Sequence, residues 1–367
     1  METAPHGRDE RNRRLKNYME PIIIDKKKIS YRHSPYIIAE AGVNHNGRLE
    51  YALKLIEMAA WAGADAIKFQ TFKAHEVTTA ETKLAEYQKQ NIGNDGPMIE
   101  MIKKLELKEL FYPKIIRHCK KNHITFLSSP HGGFESVDFL QKLKIKAFKI
   151  SSADLTNSPL LLYAAKFQKP MILSTGMATI AEVIGAIRTV LKTGNKKIIV
   201  LHCTTNYPCP PNETNLRAIS TMMKKLPHYI GYSDHTLGSE AAIGAVALGA
   251  CVIEKHITLH KTMKGPDHGA SAEPREFKDM VKKIKKTHIM LGSGEKIPNA
   301  SEMKYIPLIR KSIVAKTDIK KGDTIKQSFL AIKRPGTGLA PKYFFSIPGR
   351  IAKRNIRKDT LLKASDF

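Results

Sequence analysis

From residue 36 to residue 291 the chain alternates between two patterns. Short runs of β-branched and other apolar residues recur, and longer stretches of helical period separate them. The runs are YIIAE (36–40), DAIKFQ (65–70), ITFLSS (124–129), AFKISS (147–152), MILST (171–175), IIVLHC (198–203), YIGYSD (229–234) and CVIEKH (251–256). Stretches such as LEYALKLIEMAAWAGA and SEAAIGAVALGA carry apolar residues three and four positions apart, as an amphipathic helix requires. The gap at 72–123 is long enough for extra helices and a loop. Upstream, IIIDKKKISY reads as two short strands around a charged turn.

Eight β-α units over roughly 250 residues predict a (β/α)8 TIM barrel. An open doubly wound sheet is the competing arrangement. It usually carries a G-x-G-x-x-G turn after its first strand, and here AEAGVNHNG stands in that place. The last barrel helix is expected over 275–291, followed by a Gly/Pro/Ser-rich linker, LGSGEKIPNASEM. The final segment has a weak internal echo, AKTDIKKGDTI (315–325) and AKRNIRKDTLL (352–362), each read as strand, basic turn, strand. The expected division is an N-terminal tail and hairpin over 1–34, a barrel domain over 35–295, a linker over 296–311 and a small, mostly β domain over 312–367.

Composition changes this picture little. Of 367 residues 42% are apolar and 26% charged, ordinary values for a soluble globular chain. No run approaches the length of a membrane span, and the N-terminus lacks the apolar core of a secretory signal. Cys119, Cys203, Cys209 and Cys251 have no paired C-x-x-C spacing, so a reducing, cytoplasmic setting is expected. The net charge of +27 is the unusual quantity, and residues 301–367 alone carry about +11 of it. A lysine-rich solvated surface, attraction of an anionic substrate and nucleic-acid binding all fit such a balance. Zinc-finger spacings and aromatic RNA-binding signatures are missing, which disfavours nucleic acid.

Barrel chemistry sits at the C-terminal ends of the strands, so those ends matter most. Every run finishes polar. In order they offer Glu40 with Asn44, His45 and Asn46; Lys68, Gln70 and Thr71; Ser128 and Ser129; Lys149, Ser151, Ser152 and Asp154; Ser174 and Thr175; His202, Thr204 and Thr205; Ser233, Asp234 and His235; Glu254, Lys255 and His256. Buried polar groups are costly unless paired, so eight polar ends at one mouth imply ligands. Lys68 and Lys149 with Ser129, Ser152, Ser174 and Ser233 suit a phosphate or carboxylate, although a single serine at a strand end also serves as a helix cap. His235 and His256 end adjacent runs, and Glu40 would neighbour them around a closed barrel; that trio suits a divalent ion with open positions, or a hydrogen-bonded polar rim. His260 and His268 lie beyond the last run. A Schiff-base lysine is the alternative chemistry, and Cys203 reads as packing.

The motifs IIAEAGVNHNG, AIKFQTFKA, ILSTGMAT, LHCTTNYP, YSDHT, VIEKHITL and GPDHGAS resemble the sialic acid synthase family, N-acetylneuraminate synthase and its relatives. IVAKTDIKKGDTI and KRPGTGL resemble that family's C-terminal antifreeze-like (SAF) domain. The resemblance covers residue 36 to the end. It implies a TIM barrel plus SAF domain, a domain-swapped homodimer, and a condensation of phosphoenolpyruvate with an N-acetylmannosamine-type sugar that needs a divalent metal, typically Mn2+, with Mg2+ or Co2+ as substitutes. By motif, His235 and His256 resemble the metal ligands and Glu40 the carboxylate near metal, aldehyde and water. Lys68 and Ser129 resemble the clamp on the phosphoenolpyruvate carboxylate. Lys149, Ser152, Ser174, Thr205 and Ser233 resemble the phosphate cradle. Gln70, Asp154, Tyr207 and Asp267 resemble sugar contacts, with Asn94 a further candidate in a covering loop over 83–98. Arg334 resembles the arginine that the SAF domain delivers to the partner's site.

Two departures stand out. Where the family often has STPF this chain has SSPHGG, placing Ser129 for threonine and His131 for phenylalanine. Where the family often has SGE it has SAD, placing Asp154 for glutamate. Both bear on the sugar end of the pocket. A legionaminic-type 2,4-diacetamido-6-deoxy sugar is therefore the rival acceptor, and the pseudaminic branch is disfavoured by the intact GPDH.

Overall fold

The eight parallel strands of the first unit are buried at every position but Gln70 because they have two covered faces. A parallel strand with helices outside and a filled barrel inside has no wet side, so it reads as a continuous apolar run with its polar residues at one end. The computed structural model of the chain describes residues 19–84, 86, 88–89 and 96–367. These divide into two compact units, Met1–Gly292 and Ser293–Phe367.

An antiparallel hairpin, β1 (Ile22–Ile24) and β2 (Lys27–Ile29), opens the first unit. Eight parallel strands follow: β3 (Tyr36–Gly42), β4 (Ala66–Thr71), β5 (Thr125–Pro130), β6 (Phe148–Ile150), β7 (Met171–Ser174), β8 (Ile198–His202), β9 (Tyr229–Asp234) and β10 (Val252–His256). They close into a barrel in chain order, with β10 pairing β3. The eight runs read from the sequence are these eight strands. The long gap holds helices Ala74–Val77, Met98–Lys104 and Tyr112–Lys121. The last barrel helix, Pro274–Leu291, starts with Pro at its first turn and a Glu273–Glu276 capping box. No helix among the described residues is long and apolar enough to cross a membrane.

Two cores result from the period-2 alternation of each strand. Ile37, Ala39 and Ala41 of β3, with Ile67 and Phe69 of β4, pack outward against the helices. Tyr36, Ile38, Ala66, Leu127, Ala147, Ile172, Ile199, Leu201, Tyr229 and Val252 fill the inside. The hairpin belongs to that inner core: Ile22, Ile24 and Ile29 pack into it, and the Tyr229 hydroxyl donates to the Met19 carbonyl at 2.9 Å. Continuing two residues along each strand gives the next inward layer, which contains Glu40, Lys68, Lys149, Ser174 and Glu254. The barrel therefore changes from oily floor to charged mouth within one side-chain layer.

The second unit has its own core of Ile313, Ala315, Ile319, Ile325, Leu330, Ile347, Ala352, Ile356 and Leu362. Strands β11 (Ser312–Ala315) and β12 (Leu330–Lys333) pair antiparallel. The echoing segments face each other through single bridges, Ile319↔Ile356 and Thr324↔Ile351, rather than forming the full strands expected. Basic residues at short intervals leave too few apolar positions for a longer ladder.

Candidate active site

A cavity of about 300 Å³ opens at the C-terminal end of the barrel. Its lining includes Glu40, Lys68, Gln70, Lys149, Ser152, Ser174, Thr205, Tyr207, Ser233, His235, His256 and Asp267 of the residues expected there. Ser129 is outside the lining, its hydroxyl 3.3 Å from Lys68 Nζ. Asp154 is outside the lining and sits beside His131, which is in it. Arg334 lies in the second unit, just after β12. Asn94 falls outside the described residues, as does much of the 83–98 loop.

The expectation that all polar strand ends converge needs correction. Only alternate residues point inward. Thr71 bonds Ser128 and Tyr112, His202 bonds the Thr214 carbonyl, and Lys255 pairs with Asp234 at 2.6 Å on the helix side of the sheet. His268 bonds Thr258 at 2.6 Å, and neither it nor His260 lines the mouth.

At the floor of the cavity four buried charges interlock. Lys68 Nζ lies 2.9 Å from Glu40 Oε1 and 3.7 Å from Glu254 Oε2. Lys149 donates to Glu254 Oε1 at 3.0 Å, and so does the Ser233 hydroxyl. Burial pushes the Glu40 carboxyl above its usual range, against the pull of Lys68. Burial acts on Glu254 in the same sense, but Lys149 and Lys68 together overcome it and hold that carboxyl low. Burial depresses Lys149, while the two carboxylates outweigh burial at Lys68. Glu254 stood among the polar strand ends, and alternation assigns it inward: in Val252-Ile253-Glu254-Lys255-His256, residues 252, 254 and 256 share the inner face.

Beside this cluster stand two imidazoles, His235 and His256, with ring centroids 5.4 Å apart. His235 Nδ1 donates to the Thr204 carbonyl at 2.6 Å, which fixes its tautomer and frees Nε2. Burial lowers both histidines, His235 to about 4, so both rings are neutral, the form that ligates metals. Glu40 Oε2 and His256 Nδ1 are buried without hydrogen-bond partners. Gly42, in the left-handed region at φ +51, follows a register shift in β3 and lets Glu40 and His256 approach. Among the described residues no three His, Cys, Asp or Glu side chains enclose a metal by themselves. Two neutral imidazoles beside an unsatisfied carboxylate oxygen do fit a divalent ion that keeps open positions.

A third group gathers small hydroxyl side chains. The Gly176 N–H donates to Ser152 Oγ at 3.0 Å, and Thr205, Ser174 and Cys203 complete the hollow. A Cβ on Gly176 would lie 2.1 Å from Thr205 Oγ1. Thr205 Oγ1 and Ser174 Oγ are buried without partners. Val43, Phe72, Met101, Ile102 and Leu105 form a small apolar cluster that also lines the cavity. No sequence pattern announces this wall, because its members come from three separate loops and a short helix.

The NeuB family model matches residues 55–296, and the SAF domain model matches 310–367. The chain belongs to the NeuB family. The N,N'-diacetyllegionaminic acid synthase of Campylobacter jejuni subsp. jejuni serotype O:2 is 47% identical over 329 residues, covering 89% of this chain and 98% of that protein. The synthase of the same name from Legionella pneumophila is 43% identical, covering 89% and 93%. Among solved structures, the N-acetylneuraminic acid synthetase of Leptospira borgpetersenii in complex with citrate superposes with a TM-score of 0.71 at 34% identity, over 78% of this chain and 95% of that one. The resemblance carried by the strand-end motifs thus holds across both units of this NeuB-family chain.

Proposed function

We propose that this NeuB-family chain condenses phosphoenolpyruvate with an open-chain amino sugar and water, giving a nonulosonic acid and phosphate. The carrying observation is the buried Lys68–Glu40 and Lys149–Glu254 cluster beside an unsatisfied hydroxyl cradle and two neutral imidazoles. Lys68 and Ser129 would take the carboxylate of phosphoenolpyruvate. Lys149, Ser152, Ser174, Thr205 and Ser233 would take its phosphate, as cations and small donors do for oxyanions. This fixes the nucleophilic carbon against the sugar aldehyde. The new C–C bond leaves positive charge on the former enol carbon and negative charge on the aldehyde oxygen, which gains a proton. Water adds to the enol carbon and gives up one proton, which matches the one taken by the aldehyde oxygen; the resulting hydroxyl then loses its remaining proton to the phosphate as phosphate departs with its bridging oxygen, leaving the ketone. Glu40, held above the ordinary carboxylate range by burial, accepts the proton from that water. A divalent ion on His235 and His256, Mn2+ first and Mg2+ or Co2+ as substitutes, supplies Lewis acidity toward the aldehyde when bound.

The apolar wall of Val43, Phe72, Met101, Ile102 and Leu105 favours an acceptor with a hydrocarbon end. A 6-deoxy sugar presents a methyl there, whereas N-acetylmannosamine would bury a hydroxyl with no protein partner. The names of the 47% and 43% identical relatives support the same reading. The proposal therefore takes 2,4-diacetamido-2,4,6-trideoxymannose as acceptor, with N-acetylmannosamine as the second choice. It extends to a homodimer in which Arg334 serves a second copy, read by light scattering and by the kinetics of Arg334→Ala. The deciding assay is phosphate release from phosphoenolpyruvate with Mn2+ and each sugar. Turnover with the deoxy sugar at least tenfold above N-acetylmannosamine is expected. Equal or reversed preference overturns the sugar assignment, and no release with either overturns the reaction.

A further inference from the structure

His131 lines the cavity directly after β5, where its backbone is fixed by N–H bonds to the carbonyls of Thr71 at 2.9 Å and Ser129 at 3.1 Å. Its Nδ1 faces Asp154 Oδ2 at 3.6 Å. That carboxylate is itself held by the Ser151 hydroxyl at 2.8 Å, and its other oxygen is 3.4 Å from the Asn157 amide. Asp154 is thus an orienting group, set behind the ring and away from the cavity lining.

At 3.6 Å the Asp154 carboxylate is beyond hydrogen-bond reach of Nδ1, but its negative charge favours the ring proton on that nitrogen, which leaves Nε2 as the lone-pair acceptor. Burial, with Lys68 and Lys149 nearby, drives the His131 pKa down to about 4, against the pull of Asp154, so the ring is neutral at working pH. The rest of the polar lining holds donors, Lys68, Lys149, Ser152, Ser174 and Thr205, and acceptors that are mostly charged, Glu40, Glu254 and Asp267, with the Gln70 amide between them. A neutral acceptor at this position suits an N–H donor and has no use for phosphate or carboxylate.

We infer that His131, aligned by Asp154, is a specificity residue that accepts a hydrogen bond from an acetamido N–H of the acceptor sugar. The inference rests on the proposed condensation and adds to it the residue that reads the amide. Phosphoenolpyruvate lacks any such donor, so its own binding is independent of His131. The contact also predicts a role for the tautomer. The Asp154→Asn substitution can turn an amide N–H toward Nδ1, which moves the ring proton to Nε2 and turns the acceptor into a donor facing a donor.

The experiment is steady-state phosphate release with the full chain and Mn2+, varying the diacetamido sugar and phosphoenolpyruvate separately in wild type, His131→Phe, His131→Gln and Asp154→Asn. His131→Phe and Asp154→Asn are expected to raise the sugar KM about tenfold or more, while the phosphoenolpyruvate KM stays within about twofold. His131→Gln, which restores a carbonyl acceptor, should recover most of the loss. Thermal melts confirm that each variant is folded. If folded His131→Phe keeps the wild-type sugar KM, or if Asp154→Asn is silent while His131→Phe is not, the inference is overturned. Failure of the wild type itself to release phosphate strikes the condensation reading instead, and the two failures are distinct.

Discussion

Replacing Glu254 by Gln tests the charge cluster at the barrel floor. Glu254 neutralises Lys149 at 3.0 Å and Lys68 at 3.7 Å, accepts from Ser233, and is 2% exposed. The substitution keeps its shape and removes its charge, leaving Glu40 alone to balance two buried ammonium groups. Removing one partner of a buried ion pair costs about 3–5 kcal/mol. In a domain of this size each kcal/mol lowers Tm by about 2–4 °C, so a drop on the order of 10 °C is expected. A dianionic ligand should then restore more stability than it does in wild type, because it supplies the missing negative charge. At a ligand concentration of 100 times Kd the ordinary gain is about 2.7 kcal/mol. Scanning fluorimetry across a phosphoenolpyruvate titration reads both numbers. A Glu254→Gln protein that melts like wild type, or one whose phosphoenolpyruvate stabilisation is no larger than wild type's, would refute the view that Glu254 holds the lysines in check for an anionic substrate.

Three further outcomes are expected. Gly176→Ala puts a methyl 2.1 Å from Thr205 Oγ1, so phosphoenolpyruvate affinity should fall about 100-fold with the sugar KM little changed; calorimetric titration checks this. His235→Ala should abolish Mn2+ binding seen by electron paramagnetic resonance and lower turnover by at least ~10³-fold, and retained binding would remove His235 from the metal site. His45 is fully buried, and burial pushes its pKa from 6.5 to about 3. Its unfolded form takes up a proton first as pH drops, so its contribution is whole above pH 6.5 and lost progressively toward pH 3, reaching ~3 kcal/mol by pH 4.5. Urea midpoints at pH 7 and 4.5 should therefore diverge less in His45→Gln than in wild type.

The barrel was legible because its strands have nowhere wet to go: burial on both faces makes each run apolar, and the polar residue at its end marks the mouth. Lys68, Lys149, His235 and His256 were found by that rule alone. The rule overcounted, since it took Lys255 and Asp234 with Glu254 and His256, and only the period-2 alternation separates the outward pair from the inward one. It also undercounted. Glu254 was noticed as an acid, but its bond to Lys149 runs across the barrel, over 105 residues of sequence, and its bond to Ser233 joins neighbouring strands, over 21. The apolar wall of Val43, Phe72 and Leu105 is assembled from segments without a shared period, so no local pattern announces it. Asp154 was expected to reach the sugar directly; the fold sets it behind His131, because the short turn at Ser152–Asp154 bends it toward the Ser151 hydroxyl.

The hairpin in the barrel floor has a consequence during synthesis. Ile22, Ile24 and Ile29 leave the ribosome early, yet their packing partners include Tyr229 and Val252, and the Tyr229–Met19 bond spans 210 residues. At ordinary translation speeds of about 5–20 residues per second, those isoleucines wait roughly 10–40 s for their binding surface to exist. The nascent chain carries an oily plug throughout that interval, and the barrel can seal its floor only after β9 and β10 are made. Expression with added chaperone or at reduced temperature should therefore raise the soluble yield more than any change at the mouth.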